Sequence, residues 1–253
     1  MNIEITVLGS GTRVLRHDRS MSGYAVRYED FFLLLDCGDG AIRRGLAAEL
    51  PLLEVDAILF THLHLDHIAD LPPLLWALHG EGRQRAARPL HLFGPPGFQK
   101  FFDGSSNLYG DWVQEIPLRV FVREVHAEEF EIGPWRVHTL PMPHGMPANG
   151  YRLQTGGKIL AYSGDTGPGA EVIQLARHAH VFICECSFPN GQEMPTHLSA
   201  GQAGQLAAQA HCQKLLLTHF YPECLAADPA AEAREFFSGE IELAHDLMRL
   251  NIS

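Results

Sequence analysis

Short runs rich in Val, Ile, Leu and Phe recur along the chain, at 3–8, 23–28, 31–36, 57–60, 89–93, 117–122, 135–139, 150–154, 158–162, 180–185, 214–217 and 240–243. Their length and β-branched content predict strands. Helical periodicity occupies 39–50, 67–79, 95–103, 169–178, 198–211 and 227–237, and several of these segments open on Asp, Ser or Pro, which suit a helix start. Strands with helices interspersed predict an α/β fold. The stretch 117–162 is nearly all strand with Gly and Pro turns, so two mixed sheets with helices outside fit better than one parallel sheet. No Ser/Gly linker, charge block or short-period repeat divides the chain, which predicts one domain over 1–253.

Charge and composition remove several classes of function. Nineteen Lys and Arg against thirty Asp and Glu give a net charge of −11, which argues against sequence-independent nucleic-acid binding and against duplex DNA as a partner. No apolar run is long enough to cross a membrane, and Met1–Leu8 alternates like a strand with no basic leader, so a cytoplasmic protein is expected. Five cysteines (Cys37, Cys184, Cys186, Cys212, Cys224) are odd in number and without CxxC spacing, which reads as buried reduced thiols. Gly9-Ser10-Gly11 fails as a dinucleotide loop because the third glycine position is Val14.

The departure that changes the picture is fifteen histidines, clustered at particular places. Thr61-His62-Leu63-His64-Leu65-Asp66-His67 follows an apolar strand. In extended geometry His62 and His64 face the same way, while Asp66 and His67 turn into the next helix and reach a second point. One segment can thus serve two metals. This density of imidazole and carboxylate suits zinc foremost, with manganese or iron as alternatives, and not calcium or magnesium. A two-metal site needs distant partners in loops directly after strands, and three qualify: His144 in Pro141–Gly145, Asp165 in Tyr162–Thr166 and His219 in Leu215–Phe220.

HxHxDH, a lone middle His, Asp in Ser163-Gly164-Asp165-Thr166 and His in Leu217-Thr218-His219-Phe220 together resemble the metallo-β-lactamase superfamily over nearly the whole chain. Within it, Val7–Thr12, Leu34–Gly40, Ser163–Thr166 and His197-Leu198-Ser199 are most similar to the ribonuclease Z branch. The resemblance implies an αββα four-layer sandwich. It also implies two divalent metal ions, one held by His62, His64 and His144, the other by Asp66, His67 and His219, with Asp165 bridging them.

Two such cations lower the pKa of a shared water and offset charge on a phosphoryl oxygen, so hydroxide attack on a phosphodiester is the expected chemistry. Asp66 is both ligand and candidate base. His197, matching the histidine that follows the fourth ligand in ribonuclease Z, is the candidate acid for the leaving alkoxide, and Glu185 is its candidate orienting carboxylate. The matching family segment begins with His where this chain has Cys184. Asp36 either hydrogen-bonds a ligand His or caps the helix near Gly38. Arg83, Arg85 and Arg88 form a basic loop that could meet a phosphate, although a solvated face is the usual meaning of such a run.

Two departures bear on substrate. The ribonuclease Z family carries a long insertion that grips the tRNA elbow, and here Gly150–Leu160 crosses that gap as a short hairpin. Where bacterial members have PxKxRN, this chain has Leu15–Ser20 and keeps only Arg19. A compact phosphodiesterase is therefore expected, acting on a small cyclic or nucleotide phosphodiester or a short RNA end. The alternatives are a tRNA 3′ endonuclease, a thioesterase or lactonase of the same fold, and a metal-binding scaffold without turnover. Relatives in the branch often pair as homodimers, and Leu71–Trp76 offers either an apolar patch for such pairing or plain core.

Overall fold

The computed structural model describes residues 2–81, 88–113, 115–116 and 119–253. In chain order the elements are β1 (Ile3–Gly9), β2 (Gly23–Tyr28), β3 (Phe31–Cys37), α1 (Ala41–Ala47), β4 (Ala57–Leu59), α2 (Leu65–Ile68), α3 (Leu71–Glu81), β5 (Leu90–Gly94), α4 (Phe98–Tyr109) and β6 (Val120–Glu124). They continue with β7 (Glu129–Ile132), β8 (Trp135–Pro141), β9 (Asn149–Thr155), β10 (Lys158–Tyr162), α5 (Ala170–Ala176), β11 (Val181–Glu185), α6 (Ala200–Gln209), β12 (Lys214–Thr218), α7 (Pro222–Ala226), α8 (Pro229–Arg234), β13 (Glu240–Leu243) and β14 (Arg249–Ile252). The strands form two seven-stranded sheets, ordered β14-β1-β2-β3-β4-β5-β6 and β13-β12-β11-β10-β9-β8-β7.

Alternation along each strand assigns side chains to layers. Leu33 and Leu35 of β3 meet Tyr162 of β10, Ile183 of β11 and Leu216 of β12 in the core between the sheets. Phe32 and Leu34 face the other way, toward α3 and α4. In the second sheet Phe182, Cys184, Leu215 and Leu217 lie under α5 and α6. The result is the helix–sheet–sheet–helix sandwich and the mixed sheets that were expected.

Directionality matters for the site. β3, β4, β5 and β6 are mutually parallel, and so are β10, β11, β12 and β13. β8 runs with β10 because both are antiparallel to β9, and β1 runs with β3 because both are antiparallel to β2. The chain therefore leaves β1, β4, β8, β10, β11 and β12 toward one edge of the sandwich. Buried hydroxyls tie the two sheets together there: Tyr151 donates to the Phe60 carbonyl at 2.7 Å, Tyr162 to Asp36 at 2.6 Å, and Tyr24 pairs with Thr218.

Several boundaries differ from the sequence reading. The segment 67–79 is two helices, separated where Asp70 turns back: its amide donates to the Cys37 carbonyl and its carboxylate accepts from the Ile42 amide. Strand β6 begins at Val120, α4 extends to Tyr109, and β7, β14 and α7 were not foreseen. Leu71, Leu74 and Leu75 are core, so of the Leu71–Trp76 run Pro73 and Trp76 stay exposed, Trp76 with its ring 4.7 Å from that of Trp112. Arg83 and Arg85 lie outside the described residues. Arg88 forks onto Asp56 at 2.6 and 2.8 Å, so it serves as a strut within the fold. Among the described residues no helix is long and apolar enough to cross a membrane.

Candidate metal centre

Seven ligand-type side chains meet at the common edge. His62, His64, Asp66 and His67 follow β4, His144 follows β8, Asp165 follows β10 and His219 follows β12. Two sets converge, His62, His64, His144 and Asp165, and separately Asp66, His67 and His219, and a third, Asp165, His197 and His219, overlaps both, each with its ligand atoms within 4.8 Å of one another. His62 Nε2 lies 2.9 Å from His64 Nδ1, which lies 3.4 Å from His144 Nε2. Asp165 stands between the sets. Its Oδ2 is 3.7 Å from His62 Nε2, while its Oδ1 is 3.2 Å from both His67 Nε2 and His219 Nε2.

The outer nitrogens explain which atoms are free. His67 Nδ1 donates to Asp36 at 2.7 Å, His144 Nδ1 to the Thr196 carbonyl at 3.1 Å, and His219 Nδ1 to Ser187 Oγ at 3.0 Å. His62 Nδ1 meets Thr61 Oγ1 at 3.1 Å, and that hydroxyl donates onward to Asp36. Each acceptor fixes a tautomer that turns a lone pair inward. His67 Nε2, His219 Nε2 and Asp165 Oδ1 are buried without hydrogen-bond partners. Orphaned buried acceptors are costly, and three converging ones fit a cation. The clusters are consistent with a binuclear metal site.

Electrostatics agree. Burial, with neighbouring imidazoles, holds His62 well below the usual histidine range and lowers His64, which keeps both neutral as ligands must be. At His67 burial works against the charged form, but Asp165 and Asp36 outweigh it, so the pocket draws positive charge inward. Burial would likewise raise Asp66, yet the neighbouring imidazoles of His219, 3.5 Å away, and His67 hold it well below the usual carboxylate range. Two residues of the site, His219 (φ 59°) and Asp36 (φ 56°), hold left-handed backbone.

His197 stands at the edge of the site. Its Nδ1 is 3.1 Å from Glu185 Oε1 and 4.0 Å from Asp165 Oδ2. Desolvation opposes its charged form, but the hydrogen bond and charge of Glu185 prevail and raise its pKa. Glu185 is itself buried and also accepts from the Thr166 amide, Ser187 Oγ and the Leu198 amide. A cavity of about 600 Å³ opens beside this group, lined among others by Asp66, Asp165, His197, Arg13 and Tyr221.

A family model described as the beta-lactamase superfamily domain matches residues 32–220, a span that contains every residue of both ligand sets. The chain belongs to the metallo-β-lactamase superfamily. Among relatives, the uncharacterized protein ML1173 of Mycobacterium leprae is 34% identical over 250 residues, 95% of this chain and 86% of its own. A ribonuclease Z of Mycobacterium marinum is 30% identical over 281 residues, 99% of each chain, which relates this metallo-β-lactamase protein to ribonuclease Z. Three solved structures share the fold. The metallo-β-lactamase fold protein YhfI of Bacillus subtilis has a TM-score of 0.87 at 24% identity, covering 100% of both chains. The short form of human tRNase Z has 0.81 at 22%, covering 99% of both, and a diphosphatase of the PhnP family 0.77 at 21%, covering 99% and 98%.

Several readings resolve within this metallo-β-lactamase frame. Asp36 bonds His67 and does not cap α1, whose cap position is Gly40 with no side-chain bond. Residues Gly150–Leu160 do form a hairpin, with β9 and β10 joined by Gly156 and Gly157 alone, both left-handed as a two-residue turn requires. Arg19 is structural: it donates to Ser10 Oγ and to the Ala244 carbonyl, both at 2.6 Å, and lies over the Phe220 ring. All five thiols are buried and free. Sequence reasoning missed Thr61, Tyr162 and Ser187 as supports of the site, and Arg13, Phe188 and Tyr221 as walls of its cavity. The polar and aromatic residues flanking the motifs are the signal that was available.

Proposed function

We propose that the chain is a two-cation hydrolase that cleaves phosphodiesters, either a small cyclic or nucleotide phosphodiester or a short RNA end. His62, His64 and His144 would hold one divalent cation and Asp66, His67 and His219 the other, with Asp165 shared. Zinc best suits these donors, with manganese or iron as alternatives. Two cations supply Lewis acidity, activating water and offsetting charge on phosphoryl oxygens. Asp66, held ionised at the cavity wall, takes a proton from the attacking water. His197, with Nδ1 turned to Glu185, gives its Nε2 proton to the alkoxide as the bond from phosphorus to the leaving oxygen breaks.

The observation that carries this reading is the His197–Glu185 pair at the cavity edge. An alkoxide leaving group needs a proton donor, and an imidazole whose charged form is favoured supplies one. The names of the relatives, ribonuclease Z and a PhnP-family diphosphatase, support phosphate chemistry as well. Turnover of bis(p-nitrophenyl) phosphate beside a p-nitrophenyl acyl ester and a thioester, on metal-analysed protein, is the test. Phosphodiester turnover with about two metals per chain is expected from the two donor sets. Acyl turnover without phosphodiester turnover would replace the reading with a thioesterase or lactonase, and no turnover of any of the three on metal-loaded protein would favour a scaffold.

A tRNA 3′ endonuclease is the second reading, favoured by the full-length similarity to ribonuclease Z of M. marinum. The two-residue turn at Gly156-Gly157 leaves no place there for a tRNA-gripping arm. A 3′-extended tRNA beside short diesters separates the two.

A further inference from the structure

The cavity beside the metal centre has a wall that neither hydrolysis nor metal binding uses. Tyr221 and Phe188 stack with ring centroids 5.1 Å apart and planes 13° from parallel. The wall begins where the reactive groups end, since Tyr221 meets the His219 ring edge-on at 6.2 Å and the His197 ring at 6.5 Å. Both aromatic residues are anchored through their backbones, the Tyr221 amide on the Ser187 carbonyl and the Phe188 carbonyl on the Ala200 amide. Met21 and Met194 line the same cavity, and Met194 is 45% exposed.

Above this wall stands Arg13, its guanidinium 6.0 Å from the centre of the Tyr221 ring. Among the described residues no carboxylate pairs with it, although the protein carries a net charge of −11 and its other cavity-lining charges are acidic or imidazole. The loop after β1 delivers it to the site edge because β1 runs parallel to β3. A flat aromatic surface, flexible thioethers and a free planar guanidinium over one cavity match a flat, acceptor-rich ring.

Resting on the phosphodiesterase reading, we propose that Tyr221, Phe188 and Arg13 form a nucleobase subsite, so that the preferred diester carries a nucleoside beside the scissile phosphate. The base stacks on Tyr221, and the Arg13 guanidinium lies against its other face in a cation–π contact. Base–aromatic stacking in other proteins amounts to roughly 5- to 150-fold in affinity per base.

The test compares thymidine 5′-(p-nitrophenyl phosphate) with methyl p-nitrophenyl phosphate, which share a leaving group and differ only in the retained side. Wild type is expected to prefer the nucleoside diester in kcat/KM by roughly 5- to 100-fold, mainly through KM. Tyr221→Leu and Arg13→Met should each erase at least fivefold of that ratio, and Tyr221→Phe should restore it because stacking needs the ring and not the hydroxyl. Circular dichroism and metal content identify any variant that failed to fold, and Arg13→Met at an exposed position keeps the test alive in that case. An equal loss on both diesters, or no wild-type preference, overturns the subsite.

Equilibrium binding separates this idea from the reading beneath it. If neither diester is turned over, calorimetry of thymidine 5′-monophosphate against ribose 5-phosphate on metal-loaded protein still decides. Tighter binding of the nucleotide, lost in Tyr221→Leu, supports the subsite while the phosphodiesterase reading falls. Equal binding of the two overturns the subsite and assigns Arg13 to a phosphate.

Discussion

Asp36 Oδ2 lies 2.7 Å from His67 Nδ1, and the same oxygen accepts hydrogen bonds from Tyr162 at 2.6 Å and Thr61 at 2.8 Å. One carboxylate from the first sheet thus orients an imidazole of the centre and receives a hydroxyl from the second sheet. Asp36→Asn preserves shape and suits the left-handed backbone, but it removes negative charge and an acceptor facing His67. Affinity for one cation should fall roughly 10- to 100-fold while the other is retained. Metal analysis across a graded chelator series checks this; coincident curves for the two proteins would remove Asp36 from the site.

The His197–Glu185 pair predicts a pH dependence. Because the folded protein raises the His197 pKa, the protonated acid is present below that value and is lost as pH rises through it. Turnover of diesters with alkoxide leaving groups should therefore fall on the basic side, while p-nitrophenolate esters should show a weaker decline. Glu185→Gln should move that limb to lower pH, and His197→Ala should cost roughly 10²- to 10⁴-fold on poor leaving groups with metal content kept. Rate profiles with both leaving groups are the check. Identical losses on the two would make His197 structural.

Gly164 explains why the turn before Asp165 carries glycine. It is left-handed at φ 57°, and a Cβ there would stand 2.6 Å from Cβ of Thr61, the residue that supports His62 and Asp36. Gly164→Ala should cost about 2–5 kcal/mol and loosen metal retention. Gly157→Ala serves as the control, since it is left-handed at φ 76° with open space around it, and should cost about 1 kcal/mol. Urea unfolding of both variants measures the difference. Equal losses would show that only backbone conformation, and not the contact with Thr61, is at stake.

The thiols should be silent in the folded protein. Burial raises Cys37, Cys184 and Cys186 well above the ordinary thiol range and pushes Cys212 up to about 12. Cys186 and Cys224 sit 3.4 Å apart, sulfur to sulfur, inside the helix-covered core. A thiol-reactive disulfide reagent should modify no cysteine until denaturant is added. Rapid labelling of Cys184, Cys186, Cys212 or Cys224 without denaturant would contradict the packing of α5 and α6 on the second sheet, and labelling of Cys37 the packing of the helices on the first.

What could be read from the sequence follows from where the information lies. Strands such as β3 and β11 are buried on both faces, so continuous apolar runs announced them. Strands β7 and β14 are edge strands of four residues with exposed Glu or Arg and Asn between buried ones, too short for alternation to stand out. The seven converging side chains were legible as candidate donors because histidine and aspartate close apolar runs. The role of Asp36 was legible only as one of two readings, a bond to a ligand histidine or a helix cap, and the bond to His67 with support from Tyr162 decides between them. Arg13 and Tyr221 come from opposite ends of the chain and carry no motif, so the cavity wall became visible only in three dimensions.

Donors hung from both sheets have a consequence for synthesis. Residues His62, His64, Asp66 and His67 belong to the first half of the chain, while His144, Asp165 and His219 arrive with later strands, and β14 then returns to pair with β1. A nascent chain that has produced only the first sheet owns a histidine cluster but no complete set of donors. The set of His62, His64, His144 and Asp165 is complete once β10 has been made, whereas the set of Asp66, His67 and His219 waits for β12, so the two sites would become able to hold a cation in sequence and only after strands of the second sheet have docked.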